Sequence, residues 1–214
     1  MPEDGGCGSG GCASPGRLIT MNTAKWFDRV PVRSWLLAAS GVVVLQAVAL
    51  YLLGRVPICT CGYVKLWHGV VLSAENSQHI SDWYSFSHII HGFGFYALLW
   101  LVARRWSVGL RLATAVLIEA VWESIENTSF VIDRYRAITI SLDYYGDSII
   151  NSVSDTLFCV AGFALARRLP VVATVGLTIL MEVGTAYLIR DNLTLNIIML
   201  FYPLAAIKAW QEGR

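Results

Sequence analysis

The sequence predicts an all-α fold: a polytopic membrane helix bundle of about six transmembrane helices, with both termini on the inner side. Three observations carry that expectation. Hydrophobic residues make up 56% of the 214 positions and charged ones only 14%, where a soluble domain carries about 25% charged residues. Apolar runs recur near the length of roughly 20 residues that a bilayer core of about 30 Å requires. Eight Trp and nine Tyr are present, and both residue types collect at membrane–water interfaces. The formal net charge of +1 gives no basic field for nucleic acid. The composition also excludes disordered chains, secreted disulfide scaffolds and ordinary soluble enzymes.

Residues 1–20 form a Gly-rich stretch with no apolar run, which reads as a disordered tail, or as upstream sequence if translation starts at Met21. Its Cys7 and Cys12 have no spacing that suggests a zinc site. Residues 21–214 then make one helical domain. The first span, 35–53, has no charge inside it, and the second, 86–103, is bounded by Arg104 and Arg105. The third, 108–130, contains Arg111 and three glutamates; the fourth, 148–166, stops at Arg167 and Arg168. Pro170 opens the fifth, 170–189, as suits the first turn of a helix. The sixth, 195–210, is short and carries Pro203, which predicts a kink or tilt.

Orientation follows from the basic residues. With the N-terminus inside, eleven fall on the inner side: Arg17, Lys25, Arg29, Arg33, Arg104, Arg105, Arg111, Arg167, Arg168, Lys208 and Arg214. Five fall outside: Arg55, Lys65, Arg134, Arg136 and Arg190. The outer segment 54–85 holds Cys59, Cys61, His68 and His79. Cys59 and Cys61 would face an oxidising compartment, with either a disulfide or metal binding beside His68 open to them.

Ionisable side chains inside a span cost several kcal/mol unless paired or hydrated, so each is a functional candidate. His88 and His91 stand at i, i+3; Glu119, Glu123 and Glu126 share one face of the third span; Asp147, Asn151 and Asp155 form a stripe on the fourth. Counting depth along alternating spans places His88, His91, Glu123, Glu126, Asp147, Asn151 and Asn196 in the outer half, and Glu119, Asp155 and Glu182 nearer the midplane. One polar pocket open to the outer face accounts for most of them. No cofactor is predicted outright: the histidines and carboxylates suit a divalent metal, with His88 and His91 weak ligand candidates. Acid/base chemistry by paired carboxylates and plain interhelical hydrogen bonding remain alternatives.

Ser87-His-Ile-Ile-His-Gly-Phe-Gly-Phe-Tyr96, Glu119-Ala-Val-Trp-Glu-Ser-Ile-Glu-Asn-Thr128, Val131-Ile-Asp-Arg-Tyr-Arg136 and Tyr144-Tyr-Gly-Asp-Ser-Ile-Ile-Asn-Ser-Val-Ser-Asp155 occur in this order. In them the chain resembles an uncharacterised family of small multi-pass inner-membrane proteins of alphaproteobacteria, over about residues 30 to 212. More distantly it is similar to VanZ-like membrane proteins, through His91, Glu123, Glu126, Arg134 or Arg136, Asp147 and Asn151, with Ser154 where those carry Gly. The resemblance implies a helical core in the bacterial inner membrane and supplies no reaction.

The expected function is binding of a membrane lipid or its headgroup in the pocket, with Arg134 and Arg136 on a phosphate. A proton- or ion-coupled carrier using Glu119, Asp155 and Glu182, and a structural subunit without chemistry, are the rival expectations. The sequence names no catalytic residue and no protein partner.

Overall fold

The computed structural model describes residues 30–139 and 142–213; the Gly-rich tail, Cys7, Cys12 and Met21 lie outside the described residues. Eight helices and no strand are found among the described residues: α1 (Val32–Leu52), α2 (Ser85–Val102), α3 (Val108–Glu126), α4 (Ser129–Ile138), α5 (Ile149–Arg168), α6 (Val171–Ile189), α7 (Leu193–Phe201) and α8 (Ala205–Gln211). Four of them, α1, α2, α5 and α6, are long and apolar enough to cross a membrane.

Local chemistry sets the ends. Ser107, Ser148 and Asn192 accept backbone N–H bonds from Leu110, Asn151 and Leu195 and so cap α3, α5 and α7. Pro31 and Pro170 stand just before α1 and α6, where the missing N–H costs nothing. The expected third span ends at Glu126, after which Thr128 turns extended and starts the separate helix α4.

Residues 195–210 do not form one helix. Tyr202 leaves the helical region because Pro203 follows it, and α7 and α8, of 9 and 7 residues, flank the break. At about 1.5 Å per residue neither can cross a bilayer core. The chain instead folds back. Gln211 Nε2 donates to Asp191 Oδ1 at 3.0 Å and Lys208 Nζ to the Ala137 carbonyl at 3.3 Å. The C-terminal helix therefore lies at the same end as α4 and residues 190–191, where the sequence placed it at the opposite, arginine-rich end.

The bundle is built on the packing of α2 against α5 and of α1 against α3. A Cβ on Gly92 would meet the Cys159 carbonyl oxygen, with Phe163 N at 2.6 Å and Gly162 Cα at 2.9 Å; one on Gly162 would meet the Ile89 backbone. Only glycine permits this approach of two helix backbones. Gly109 plays the same part for α3 under the Trp35 ring of α1, whereas Gly94 and Gly176 have nothing within 4 Å. Below the crossing, Leu99, Ala103, Ala115 and Phe163 form the apolar core.

Carbonyls of the 54–84 segment close the other end. Ser148 N donates to Ser77 O, Ile149 N to Val56 O and Ile150 N to Pro57 O, so the C-terminal end of α1 and the N-terminal end of α5 meet there. The Arg104–Arg105 and Arg167–Arg168 pairs follow the far ends of α2 and α5.

Candidate functional site

Three helices converge on one buried imidazole. From α2, His88 Nδ1 lies 2.6 Å from Glu119 Oε1 and 3.2 Å from Glu123 Oε1, both on α3. Its Nε2 lies 3.8 Å from Asp155 Oδ2 on α5. His91, one turn on, places Nδ1 3.1 Å from each oxygen of Glu119. The i, i+3 and i, i+4 spacings put these pairs on facing stripes, and the glycine crossing brings α2 and α5 close enough for His88 to meet Asp155. Glu119, Glu123 and Asp155 are 0%, 1% and 3% exposed.

Hydroxyls supply further donors. Ser152 Oγ donates to Glu123 Oε2 at 2.6 Å and Ser85 Oγ to Asp155 Oδ1 at 3.1 Å. Gln46 of α1 donates to Ser152 Oγ at 2.9 Å and accepts from Thr156 Oγ1 at 2.8 Å. Glu123 Oε1 is buried and has no hydrogen bond.

A second group of carboxylates lies toward the loop end. Asp147 accepts from Asn127 Nδ2 at 2.7 Å and Tyr144 OH at 3.1 Å. Burial raises the Asp147 carboxyl above its usual range, with the Asn127 and Tyr144 bonds opposing. Asp82 accepts from the Ser77 and Tyr84 backbone N–H groups, and burial pushes it up to about 6. Burial likewise raises the Tyr144 phenol well above normal.

Both groups border a cavity of about 360 Å³. Its polar wall holds His88, His91, Glu119, Glu126, Asp147 and Asp155; its other wall is apolar and includes Ile118, Trp122, Ile197, Leu200 and Phe201. That wall reaches the outside flank of the bundle, since Ile118, Ile197 and Phe201 are 38%, 49% and 77% exposed.

His88, His91, Glu119, Glu126, Asp147, Asp155 and Asn196 therefore share one cavity. Glu123 lies behind its wall, bonded to Ser152. Asn151 is turned away: its Nδ2 donates to the His79 carbonyl at 2.8 Å and holds the 54–84 segment. Arg134 and Arg136 are also off the lining. Arg134 Nε donates to the Leu200 carbonyl at 3.1 Å, and Arg136 Nε donates to the Leu142 carbonyl while its guanidinium stacks on Tyr145. Glu182 is committed elsewhere, its two oxygens accepting from Leu193 N and Thr194 N at 3.1 Å each at the start of α7.

Sequence reasoning passed over Gln46, Asp82, Tyr84, Trp122, Asn127 and Tyr144. Gln46 carried a signal, as a lone amide in an uncharged apolar run. Asp82 and Tyr84 sit in a loop, where no periodicity points to a partner.

The 54–84 segment has its own cluster. Glu75 Oε2 lies 2.6 Å from Lys65 Nζ and 3.1 Å from His79 Nε2, and Tyr63 OH donates to Oε1 at 2.8 Å. The Lys65 bond, then those of His79 and Tyr63, hold the Glu75 carboxyl down at about 2. Cys59 and Cys61 form a disulfide.

The family model described as "Protein of unknown function (DUF2585)" matches residues 50–213. A UPF0314 protein of Sinorhizobium fredii is 60% identical over 179 residues, 84% of this chain and 91% of its own length. One of Paracoccus denitrificans is 61% identical over 172 residues, 80% of this chain and 89% of its own. One of Agrobacterium fabrum is 54% identical over 179 residues, 84% and 90% of the two chains. No solved structure matches. These relatives carry no stated activity, and none of these matches bears on the VanZ-like resemblance.

Proposed function

Since the chain belongs to the DUF2585 family of unknown function, whose relatives supply no reaction, we propose its role from the geometry. It is a multi-pass protein of the bacterial inner membrane that binds an envelope lipid by its headgroup in the cavity between α2, α3 and α7. The observation that carries this reading is the cavity's two-sided wall, polar at His88, His91 and Glu119 and apolar where Ile118, Ile197 and Phe201 reach the outside. A headgroup would meet the first while its chains leave along the second. Much of α1 and α6 supports the membrane setting: Leu37, Leu52, Val171 and Val172 are all largely exposed, as lipid-facing positions must be.

The cavity end faces the periplasm. The opposite end keeps both arginine pairs, Arg33 and Arg111, and Arg17, Lys25 and Arg29 precede α1 in the chain. A disulfide at the cavity end suits an oxidising compartment. With Arg134 and Arg136 off the lining, no Arg or Lys side chain faces a bare phosphate there. The headgroup carries its own positive charge or meets a bound cation.

Native mass spectrometry from nanodiscs of the protein's own membrane tests this. The wild-type chain should retain a lipid that Ile197→Trp, which fills the apolar wall, loses. A bare wild-type mass overturns the reading. The carrier alternative finds no support in Glu182, which caps α7 rather than joining Glu119 and Asp155.

A further inference from the structure

We infer that His88, His91, Glu119 and Glu123 form a binding site for one divalent transition-metal ion of the zinc class, a reading that does not rest on the lipid proposal. Hydrogen-bond donors are in short supply around the buried carboxylates. Glu119, Glu123 and Asp155 present six carboxylate oxygens in a region almost free of solvent. Ser152 and Ser85 satisfy one oxygen each of Glu123 and Asp155. His88 Nδ1 faces both Glu119 Oε1 at 2.6 Å and Glu123 Oε1 at 3.2 Å, yet a ring nitrogen carries a single proton. Given to Glu119, that proton leaves Glu123 Oε1 with no hydrogen bond, as found. An orphaned carboxylate oxygen, on a residue 1% exposed and aimed at the His88 imidazole, is a group that a cation satisfies.

The geometry suits such an ion. His88, His91 and Glu119 each offer a ligand atom within 4.8 Å of the others, and His88, Glu123 and Asp155 form a second such set joined to the first through His88. Tetrahedral ligands at about 2.0–2.2 Å from a metal stand roughly 3.3–3.5 Å apart. The observed separations of 2.6, 3.1 and 3.2 Å need to open by only a few tenths of an ångström, or somewhat more for the shortest. Two neutral imidazoles and two carboxylates then sum to zero charge with the ion. Metal on His88 Nδ1 places the remaining proton on Nε2, which faces Asp155 Oδ2 at 3.8 Å. Asp155 is thus a positioning residue that orients the imidazole, in the way carboxylates support metal-bound histidines. Nitrogen with oxygen ligands selects zinc-like ions over magnesium or calcium, which take oxygen alone.

Two other clusters of metal-ligating residues do not compete. In His68, Glu75 and His79, Lys65 Nζ already occupies Glu75 Oε2 at 2.6 Å, so a cation there would meet an ammonium. Cys59 and Cys61 are consumed by their disulfide.

The test uses the full-length chain in detergent, with Cys7→Ser and Cys12→Ser removing thiols that capture metal on their own. The protein is stripped with chelator, reloaded with zinc or cobalt alone, desalted and assayed by elemental mass spectrometry. One metal per chain is expected, with the intense visible absorption of low-coordinate cobalt. His91→Ala, at a half-buried position, should weaken binding by about 100-fold or more with an unchanged gel-filtration profile, and Glu119→Gln should do the same. Asp155→Asn should weaken it about 10–100-fold without abolishing it. His68→Ala should keep the full stoichiometry. A folded wild-type chain that retains no metal overturns the site and leaves shared protons as the charge balance. Full retention by both His91→Ala and Glu119→Gln, or loss in His68→Ala, also overturns it. Lipid is read as a separate mass adduct, so either proposal can fail alone.

Discussion

Gly92→Ala tests the crossing on which the site depends. The added methyl meets the Cys159 carbonyl oxygen, Phe163 N at 2.6 Å and Gly162 Cα at 2.9 Å, all backbone atoms of α5 that no rotamer change can move. Ordinary contact would require α5 to retreat by about 1 Å, since carbon atoms pack best at about 3.5–4.0 Å. Overpacking of this kind costs about 1–3 kcal/mol and sometimes more. The helix-propensity gain of Ala over Gly, about 1 kcal/mol, opposes it. Backbone contacts put the cost at the upper end, so a net loss of about 2 kcal/mol is expected. Gly94→Ala on the same helix, with nothing within 4 Å, keeps the propensity gain alone and should stabilise. Thermal melts of the purified chain in one detergent compare the two. Gly92→Ala melting at or above the wild-type temperature would refute the close crossing, whatever Gly94→Ala does.

Two further outcomes follow from the loop end. Asp82 and Asp191 are each raised from 3.8 to about 6, chiefly by burial. Between those values the folded chain keeps protons that the unfolded chain has lost. The stability these two groups contribute is therefore fully present below about pH 4 and is lost as pH rises from there to about 6, by on the order of 3 kcal/mol per group. Glu75, held at about 2, acts oppositely and withdraws its contribution only as pH falls below about 4.5. Melts at pH 5 should exceed those at pH 7.5, and Asp191→Asn should flatten the difference; a rise toward pH 7.5 contradicts the assignment. Glu182→Ala removes the acceptor for Leu193 N and Thr194 N. It should cost about 1 kcal/mol and release those two amides to hydrogen exchange, and unchanged protection would count against the cap.

The helical class and most of the cavity's polar wall were legible because both are periodic signals. Apolar runs of bilayer length marked α1, α2, α5 and α6, and the spacing of Glu119, Glu123 and His88 fixed their faces before any contact was known. Pro203 marked trouble in the last segment, but not the direction in which the chain turns back; that depends on Asp191 accepting from Gln211. Glu182 misled for a related reason. A carboxylate late in an apolar run resembles an intramembrane group, yet a sharp turn brings the first amides of α7 onto it. Arg134 and Arg136 lie close to the cavity in sequence terms, and only the fold shows their donors turned away, Arg134 to the Leu200 carbonyl of α7 and Arg136 to the nearby Leu142 carbonyl.

The carbonyls that receive Ser148 N, Ile149 N and Ile150 N belong to residues 56, 57 and 77. All are synthesised before α5 leaves the ribosome. The first turn of α5 therefore docks on a template already laid down, and its entry is directional. Ser152 and Asp155 arrive on that same helix, so Glu123 has no hydroxyl partner while only the first three long helices have been made. The hydrogen-bonded surroundings of Glu123 and the first turn of α5 are thus completed by the same stretch of chain.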